Sequence, residues 1–131
     1  MKFFLPLVAL ALCSGCATTS LIQPTITHLP VRSFYPDIAL TALARGKLLV
    51  RNGCVRLVGA DGGDGMLVIW PKDSQIISEG RNQVIVVGGS DQRLMIGSQV
   101  QLGGGGSDSI EYERQTASLP IGCGGPYLHA N

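Results

Sequence analysis

The sequence predicts an all-β fold that consists of one small domain. Beginning at Gly46, about six or seven short apolar runs follow one another within about 90 residues. Turn signals rich in Gly, Asn and Asp separate these runs about every 8 to 12 residues, and almost no segment has a helical period. This combination is typical of small barrels and sandwiches.

The first predicted element is a β-hairpin in the segment KLLVRNGCVRLV. Asn52-Gly53 is the strongest short hairpin signal and predicts a two-residue loop. The resulting register pairs Arg51 with Cys54, Val50 with Val55, Leu49 with Arg56 and Leu48 with Leu57. Alternation then predicts a core face made of Leu48, Val50, Val55 and Leu57, with Cys54 on the opposite face.

The next turn is DGGDG at 61–65, which leads into the strand MLVIW ended by Pro71. Its two aspartates also suggest a calcium loop, but the twelve-residue EF-hand pattern ending in Glu is absent, which favours a solvated turn. SQIIS and QVIVV flank EGRN as a second hairpin.

The segment RLMIGSQVQLG predicts one further strand, in which Gly97 indicates a bulge or sharp bend. The run Gly103–Gly106 is too short to link two domains, and it lacks the spacing of a phosphate-binding loop. A last short strand follows Cys123. We expect these strands to form a small β-barrel, OB-like or similar, with a β-sandwich as the alternative.

The first residues predict export. Lys2 precedes an apolar run of ten residues, 3–12, which is too short to span a bilayer but fits a signal peptide. Cleavage before Cys16 makes residues 1–15 the signal and leaves Cys16 as a lipidated N-terminus. In the signals of bacterial lipoproteins, a leucine usually stands three residues before the cysteine that is modified, and this sequence has Cys13 at that position. The alternative is ordinary cleavage after Ala17, which releases a secreted or periplasmic soluble protein.

The sequence around Cys16 resembles that of bacterial lipoproteins, and this resemblance implies a diacylglycerol thioether and an N-acyl chain on Cys16. Several acyl chains together give stable membrane anchoring. Ala17, rather than Asp, after the cysteine implies sorting to the outer membrane, on its periplasmic face.

Residues 16–42 are predicted to be the lipidated N-terminus and a tether, because prolines interrupt a stretch without a sustained period. The β domain is predicted to cover residues 43–131. Asp37–Ala44 is open to two interpretations, a short helix capped by Asp37 or a lead-in to the first strand.

Two cysteines, Cys54 and Cys123, remain in the mature domain. In an oxidising compartment such a pair predicts a disulfide. The alternatives are a free thiol and a metal site that uses both cysteines with His129, either with or without His28. No clustered ligand spacing supports the metal site, so we expect no metal and no cofactor.

The charge balance argues against a nucleic-acid partner. Ten basic residues minus Lys2 leave nine, against nine acidic residues. Arg45, Lys47, Arg51 and Arg56 form the one local concentration of basic residues. We interpret them as the solvated side of strands, with an anionic-ligand patch as the alternative.

No catalytic constellation is evident, so the sequence predicts that the protein is not an enzyme. There is no GxSxG elbow, and His28 and His129 are poorly placed to orient a nucleophile. Glu111 and Glu113 share one strand face as a glycosidase pair would, but their polar surroundings favour a solvated edge.

The order GKLLVRNGC, LVIWP, IGSQVQLGGG and CGGPY resembles that of small uncharacterised bacterial proteins, many of them lipoproteins. The resemblance covers roughly residues 46–128. It implies the domain boundaries and supports the pairing of Cys54 with Cys123, and it implies no activity.

Two functions follow as expectations. One is a structural or accessory lipoprotein of the bacterial envelope, in contact with the membrane through its lipid and with other envelope proteins. The other is a binding or inhibitor module that acts on a protein or glycan target through a loop such as 61–65 or 103–109. Trp70 and Tyr127 are the candidate aromatic contacts with a partner, although Trp70, at the end of an apolar strand, also suits the core.

Overall fold

The computed structural model describes residues 24–36, 39–108 and 119–131. Within these ranges there is no helix, and the all-β prediction is confirmed. The strands are β1 (Ala42–Arg51), β2 (Cys54–Val58), β3 (Met66–Ile69), β4 (Gln75–Glu79), β5 (Asn82–Val86), β6 (Arg93–Met95), β7 (Gln99–Ser107) and β8 (Tyr127–Ala130).

Five of these strands close into a barrel in the order β1-β2-β3-β8-β7. All neighbours are antiparallel except β3 and β8, which are parallel. A closed five-stranded barrel of this kind is OB-like. The prediction of a small barrel is confirmed, and the sandwich alternative is set aside. The other three strands form a separate sheet, β4-β5-β6, which is inserted in the chain between β3 and β7.

The first hairpin has the predicted register, from Arg51 opposite Cys54 to Leu48 opposite Leu57. Asn52 and Gly53 both have positive φ angles, 55° and 79°, as a two-residue type I′ turn requires. The predicted core face is also confirmed, since its four residues are at most 8% exposed. The barrel interior adds Val68, Leu102, Leu128 and Ala130 to them.

The predicted strand RLMIGSQVQLG is in fact two strands separated by a turn. β6 ends at Met95 and β7 begins at Gln99, with Gly97 between them at φ 90°. Gly97 N–H donates to the carbonyl of Leu48 (2.7 Å), and Leu48 N–H donates to the carbonyl of Ser98 (3.0 Å). The strand is interrupted here because the turn forms backbone hydrogen bonds with β1. These hydrogen bonds join the barrel to the second sheet.

Residues 24–36, which we call the N-terminal arm, pack on the domain and are not a tether. His28 pairs in parallel with Cys54, and Val31 pairs in parallel with Trp70. The backbone N–H of Trp70 donates to the carbonyl of Pro30, and the backbone N–H of Arg32 donates to the carbonyl of Trp70. β2 and β3 pair at only two positions, and the arm supplies further backbone partners beside them. The predicted domain boundary at residue 43 is therefore too late.

The arm buries side chains as well as backbone. Ile26 is 6% exposed and belongs to the main core, and Pro30 is fully buried. At the far end, Tyr35 Oη donates to Asp73 Oδ2 (2.7 Å), and this bond raises the pKa of the Tyr35 phenol. Residues 37 and 38 lie outside the described ranges. From Ala42 onward the chain is β1, so the strand lead-in is confirmed there, and residues 39–44 contain no helix.

The glycine run lies inside β7 and forms part of the barrel wall. A Cβ on Gly104 would lie 2.1 Å from the carbonyl oxygen of His129, which belongs to the adjacent strand β8. A Cβ on Gly105 would lie 2.7 Å from Leu40 Cδ1, on a residue that precedes β1. The run therefore permits close approach of neighbouring chain segments.

Candidate functional site

The predicted lipidation site, Cys16, and the signal peptide lie outside the described residues. The same holds for Glu111 and Glu113, so the glycosidase alternative stays a sequence argument. The other candidates lie within the described ranges, except for residue 109 of the loop 103–109. They are found in the main core, in a buried cluster on the outside of the barrel, along an open groove and in the turn at 61–65 and the strand β7.

The buried cluster is centred on the disulfide between Cys54 and Cys123, which confirms the predicted pair. Cys54 starts β2 and faces outward, opposite the barrel interior. Cys123 lies in the C-terminal segment, residues 119–126, which crosses this outer face. The two residues are 0% and 1% exposed and pack with Leu67, Ile69, Tyr127 and Leu119.

The disulfide uses both thiols, which leaves the alternative metal site without its thiolate ligands. Elsewhere in the described ranges, no three His, Cys, Asp or Glu side chains come together as a metal site. The free-thiol alternative is likewise excluded for these two residues.

Arg56 is buried beside the disulfide and is not on a solvated strand face. Only 6% of the residue is exposed. Its guanidinium donates to the carbonyls of Asp64 (2.7 Å), Gly65 (3.1 Å) and Gly124 (2.8 Å). Burial lowers the pKa of Arg56, an effect partly offset by the Asp64 charge. Arg56 thus ties the turn at 61–65 to the C-terminal segment, because both present carbonyls to one cation.

Trp70 and Tyr127 are core residues and do not present their rings to a partner. Trp70 is fully buried in the main core, and Tyr127 is 7% exposed against the disulfide. Their burial removes both from the candidate partner contacts. Among the described residues, no group accepts a hydrogen bond from the indole Nε1 of Trp70, and the ring packs in the main core.

The outward face of β1 forms one wall of an open groove of about 350 Å³, which we call the β1 groove. Lys47, Leu49 and Arg51 line this wall, and the groove is completed by Val58, Gly59, Ala60, Gly62 and Gln99. Arg51 is engaged, since it donates to the Gly63 carbonyl (2.7 Å) and lies 3.7 Å from Asp64. Lys47 is exposed, and among the described residues its ammonium group has no hydrogen-bond or ion-pair partner. The groove therefore combines an exposed ammonium group with a leucine side chain.

The two candidate loops differ in structure. Residues 61–65 form an exposed turn held by Arg51 and Arg56, as the solvated-turn interpretation predicts. Residues 103–107, however, belong to strand β7 and are no loop. The strand forms because β1 and β8 pair with it on both sides.

Sequence reasoning missed the structural role of Arg56 and the arm. Alternation along β2 places Arg56 on the outward face, which the sequence predicts to be solvated. Cys54 lies on the same face, and its bond to Cys123 brings the C-terminal segment over Arg56. The described residues contain no helical segment with the length and hydropathy that spanning a bilayer requires.

Comparisons with known proteins found no match: no family model fits the chain, and no curated protein or solved structure matches it.

Proposed function

We propose that the protein is an exported lipoprotein of the bacterial envelope, anchored through Cys16 and serving an accessory or structural role without enzymatic activity. The observation that carries this proposal is the signal-like segment that ends at Cys16. The proposal that the protein is sorted to the periplasmic face of the outer membrane rests on Ala17, the residue after the cysteine. The resemblance to small bacterial lipoproteins supports the same assignment.

The disulfide supports export. A bond between Cys54 and Cys123 persists in an oxidising compartment, and such bonds are rare in the cytosol. The bond is buried under the C-terminal segment, and it links the first hairpin covalently to the segment that leads into the last strand. This link suits a domain that functions outside the cytoplasm.

The arm sets how far the domain can extend from a lipid anchor. Ile26 is already packed in the core, and it lies ten positions after Cys16 in the sequence. A fully extended chain of that length spans at most about 35 Å. A Cys16 anchor therefore keeps the barrel close to its membrane, where it meets lipid-facing envelope proteins rather than distant partners.

The test compares two cysteine variants of the full chain. Cys16→Ala removes the acceptor of the lipid, and Cys13→Ala, three residues earlier, changes only the predicted signal. We expect the Cys16→Ala domain to leave the membrane fraction while the Cys13→Ala protein stays in it. Retention of both in the membrane fraction, with the same acyl label, contradicts the lipoprotein proposal.

The β1 groove favours a second candidate function, a periplasmic binding or inhibitor module for a protein or glycan target. Lys47 presents an exposed charge beside Leu49, and this combination suits an acidic glycan or an acidic side chain of a protein. Lys47→Glu should abolish perturbation of groove resonances by soluble cell-wall fragments. Arg81→Glu, the same reversal of charge at an exposed position outside the groove, is the matched control.

A further inference from the structure

The second sheet has an unprotected edge. In the order β4-β5-β6, β4 pairs with β5 alone, and its other side has no strand beside it among the described residues. Proline, lysine and β-bulges commonly prevent an edge strand from pairing with another chain. Residues 75–79 contain none of these three features. The one charge, Glu79, is engaged by Arg93 Nη1.

The hydrogen bonds of β5 identify which β4 groups point outward. The backbone N–H of Ile96 donates to the backbone carbonyl of Gln83 in β5. The backbone N–H of Val87, the residue after β5, donates to the backbone carbonyl of Gln92. Odd-numbered residues of β5 therefore bond toward β6. Because backbone groups alternate in direction along a strand, even-numbered residues of β5 bond toward β4. Their partners in the register are Gln75, Ile77 and Glu79.

Ile76 and Ser78 consequently direct their N–H and C=O groups away from β5. In the part of the chain that the structure describes, no other group accepts from or donates to them. Ile76, Ile77 and Ser78 have neutral side chains, and Ile77, at the centre of the edge, is half-buried. This edge can accept an additional antiparallel strand.

We propose that the strand it accepts is β4 of a second copy, paired around a two-fold axis at Ile77. In this register Ile76 faces Ser78 of the partner subunit, and Ile77 faces Ile77 of the partner subunit. The outward groups of both copies then form four hydrogen bonds, and the two three-stranded sheets become one sheet of six strands.

The choice of a second copy rests on self-complementarity, which a two-fold interface requires. The same register places Glu79 opposite Gln75 of the partner subunit, so the carboxylates of the two copies are not opposite each other. A strand pair of five residues is small, well below the roughly 1,000 Å² of a stable interface. The pairing is therefore weak, and it strengthens where copies are concentrated on one surface.

Cysteine cross-linking of the full-length protein tests the register. Directly opposite residues have Cβ atoms about 5 Å apart, which a disulfide bridges after a small adjustment. Ile77→Cys is expected to form a covalent dimer under mild oxidation. Gln75→Cys and Glu79→Cys, each alone, lie about 13 Å from their own copies and are expected to stay monomeric, while a mixture of these two variants cross-links.

A second pair of variants tests the hydrogen bonds. Since Ser78 N–H points outward, Ser78→Pro leaves the β4–β5 ladder intact, as edge prolines do. In the Ile77→Cys background, Ser78→Pro should reduce cross-linking at least tenfold and Ser78→Ala should not. The proposal is overturned if Ile77→Cys cross-links no faster than Arg81→Cys, at the exposed turn of the same hairpin, or if Ser78→Pro has no effect on a folded protein.

Discussion

Cys54 is bonded to Cys123 across the outer face of the barrel, with their Cα atoms 6.0 Å apart and 69 positions apart in the sequence. Cys54 also pairs through its backbone with His28 of the N-terminal arm. Three segments that are distant along the chain therefore meet at the start of β2. This junction holds both ends of the described domain against the first hairpin.

The disulfide should contribute strongly to stability. For a closed loop of about 70 residues, the chain-entropy model gives about 4 kcal/mol. The double variant Cys54→Ala with Cys123→Ala should therefore lose about 2 to 5 kcal/mol of unfolding free energy in urea. Reduction of the unmodified protein is the control, and it should give the same loss. A loss below 1 kcal/mol in both cases contradicts this role.

Arg56 should stabilise the domain more than the exposed Arg45 does. Arg56→Met removes three hydrogen bonds from a charged donor, and exposed carbonyls recover part of that loss from water. We expect a loss of about 2 to 3 kcal/mol in urea unfolding. Arg45→Met is the matched control, because Arg45 is exposed on β1 and bonds only to Gln101. Equal effects of the two substitutions contradict the assignment.

The arm should behave as part of the core. Ile26→Ala removes a buried side chain from the main cluster, and the loss for such a change is about 2 to 4 kcal/mol. Thr25→Ala, at the exposed neighbouring position, should change the unfolding free energy by less than about 0.5 kcal/mol. If thermal and urea unfolding show both variants to be as stable as the original chain, the arm does not pack as described.

The glycine run should tolerate a methyl group at one position and resist it at another. A Cβ on Gly104 would lie 2.1 Å from the His129 carbonyl oxygen, whereas a Cβ on Gly106 has its nearest contact at 3.9 Å. Gly104→Ala should lose about 1 to 3 kcal/mol through overpacking, and Gly106→Ala should be nearly neutral. Differential scanning calorimetry distinguishes them, and an unchanged melting temperature for Gly104→Ala is the contrary result.

The first hairpin could be predicted residue by residue because two independent constraints agree there. Asn52-Gly53 sets the loop length, and the alternation of Leu48, Val50, Val55 and Leu57 sets the buried face. The outward direction of Cys54 follows from the same register. Its partner was predictable because only one other cysteine remained in the domain.

The arm could not be predicted in this way. Ile26, Pro30 and Arg32 lie at alternate positions, but one of them is an arginine and the positions between them do not mark a polar face, so hydropathy does not reveal their burial. Their burial depends on the short pairing between β2 and β3, which is a tertiary property. The burial of Arg56 has a similar origin. Carbonyls from residues 64, 65 and 124 stabilise it, and the last of these comes from a segment far along the chain.

The division into a barrel and a second sheet also lies beyond local patterns. Gly97 marks a bend in the sequence, and only its contact with Leu48 on β1 makes it a boundary between sheets. The strands themselves were predictable from alternation and turn signals. Their assignment to two sheets was not, because edge and interior strands of this length have the same pattern.

Mass spectrometry of the protein purified from membranes tests whether a lipid on Cys16 holds this barrel at a membrane. We expect an N-terminal peptide that begins at Cys16 and carries the mass of a diacylglycerol and an acyl chain. An unmodified peptide that begins after Ala17 would contradict it.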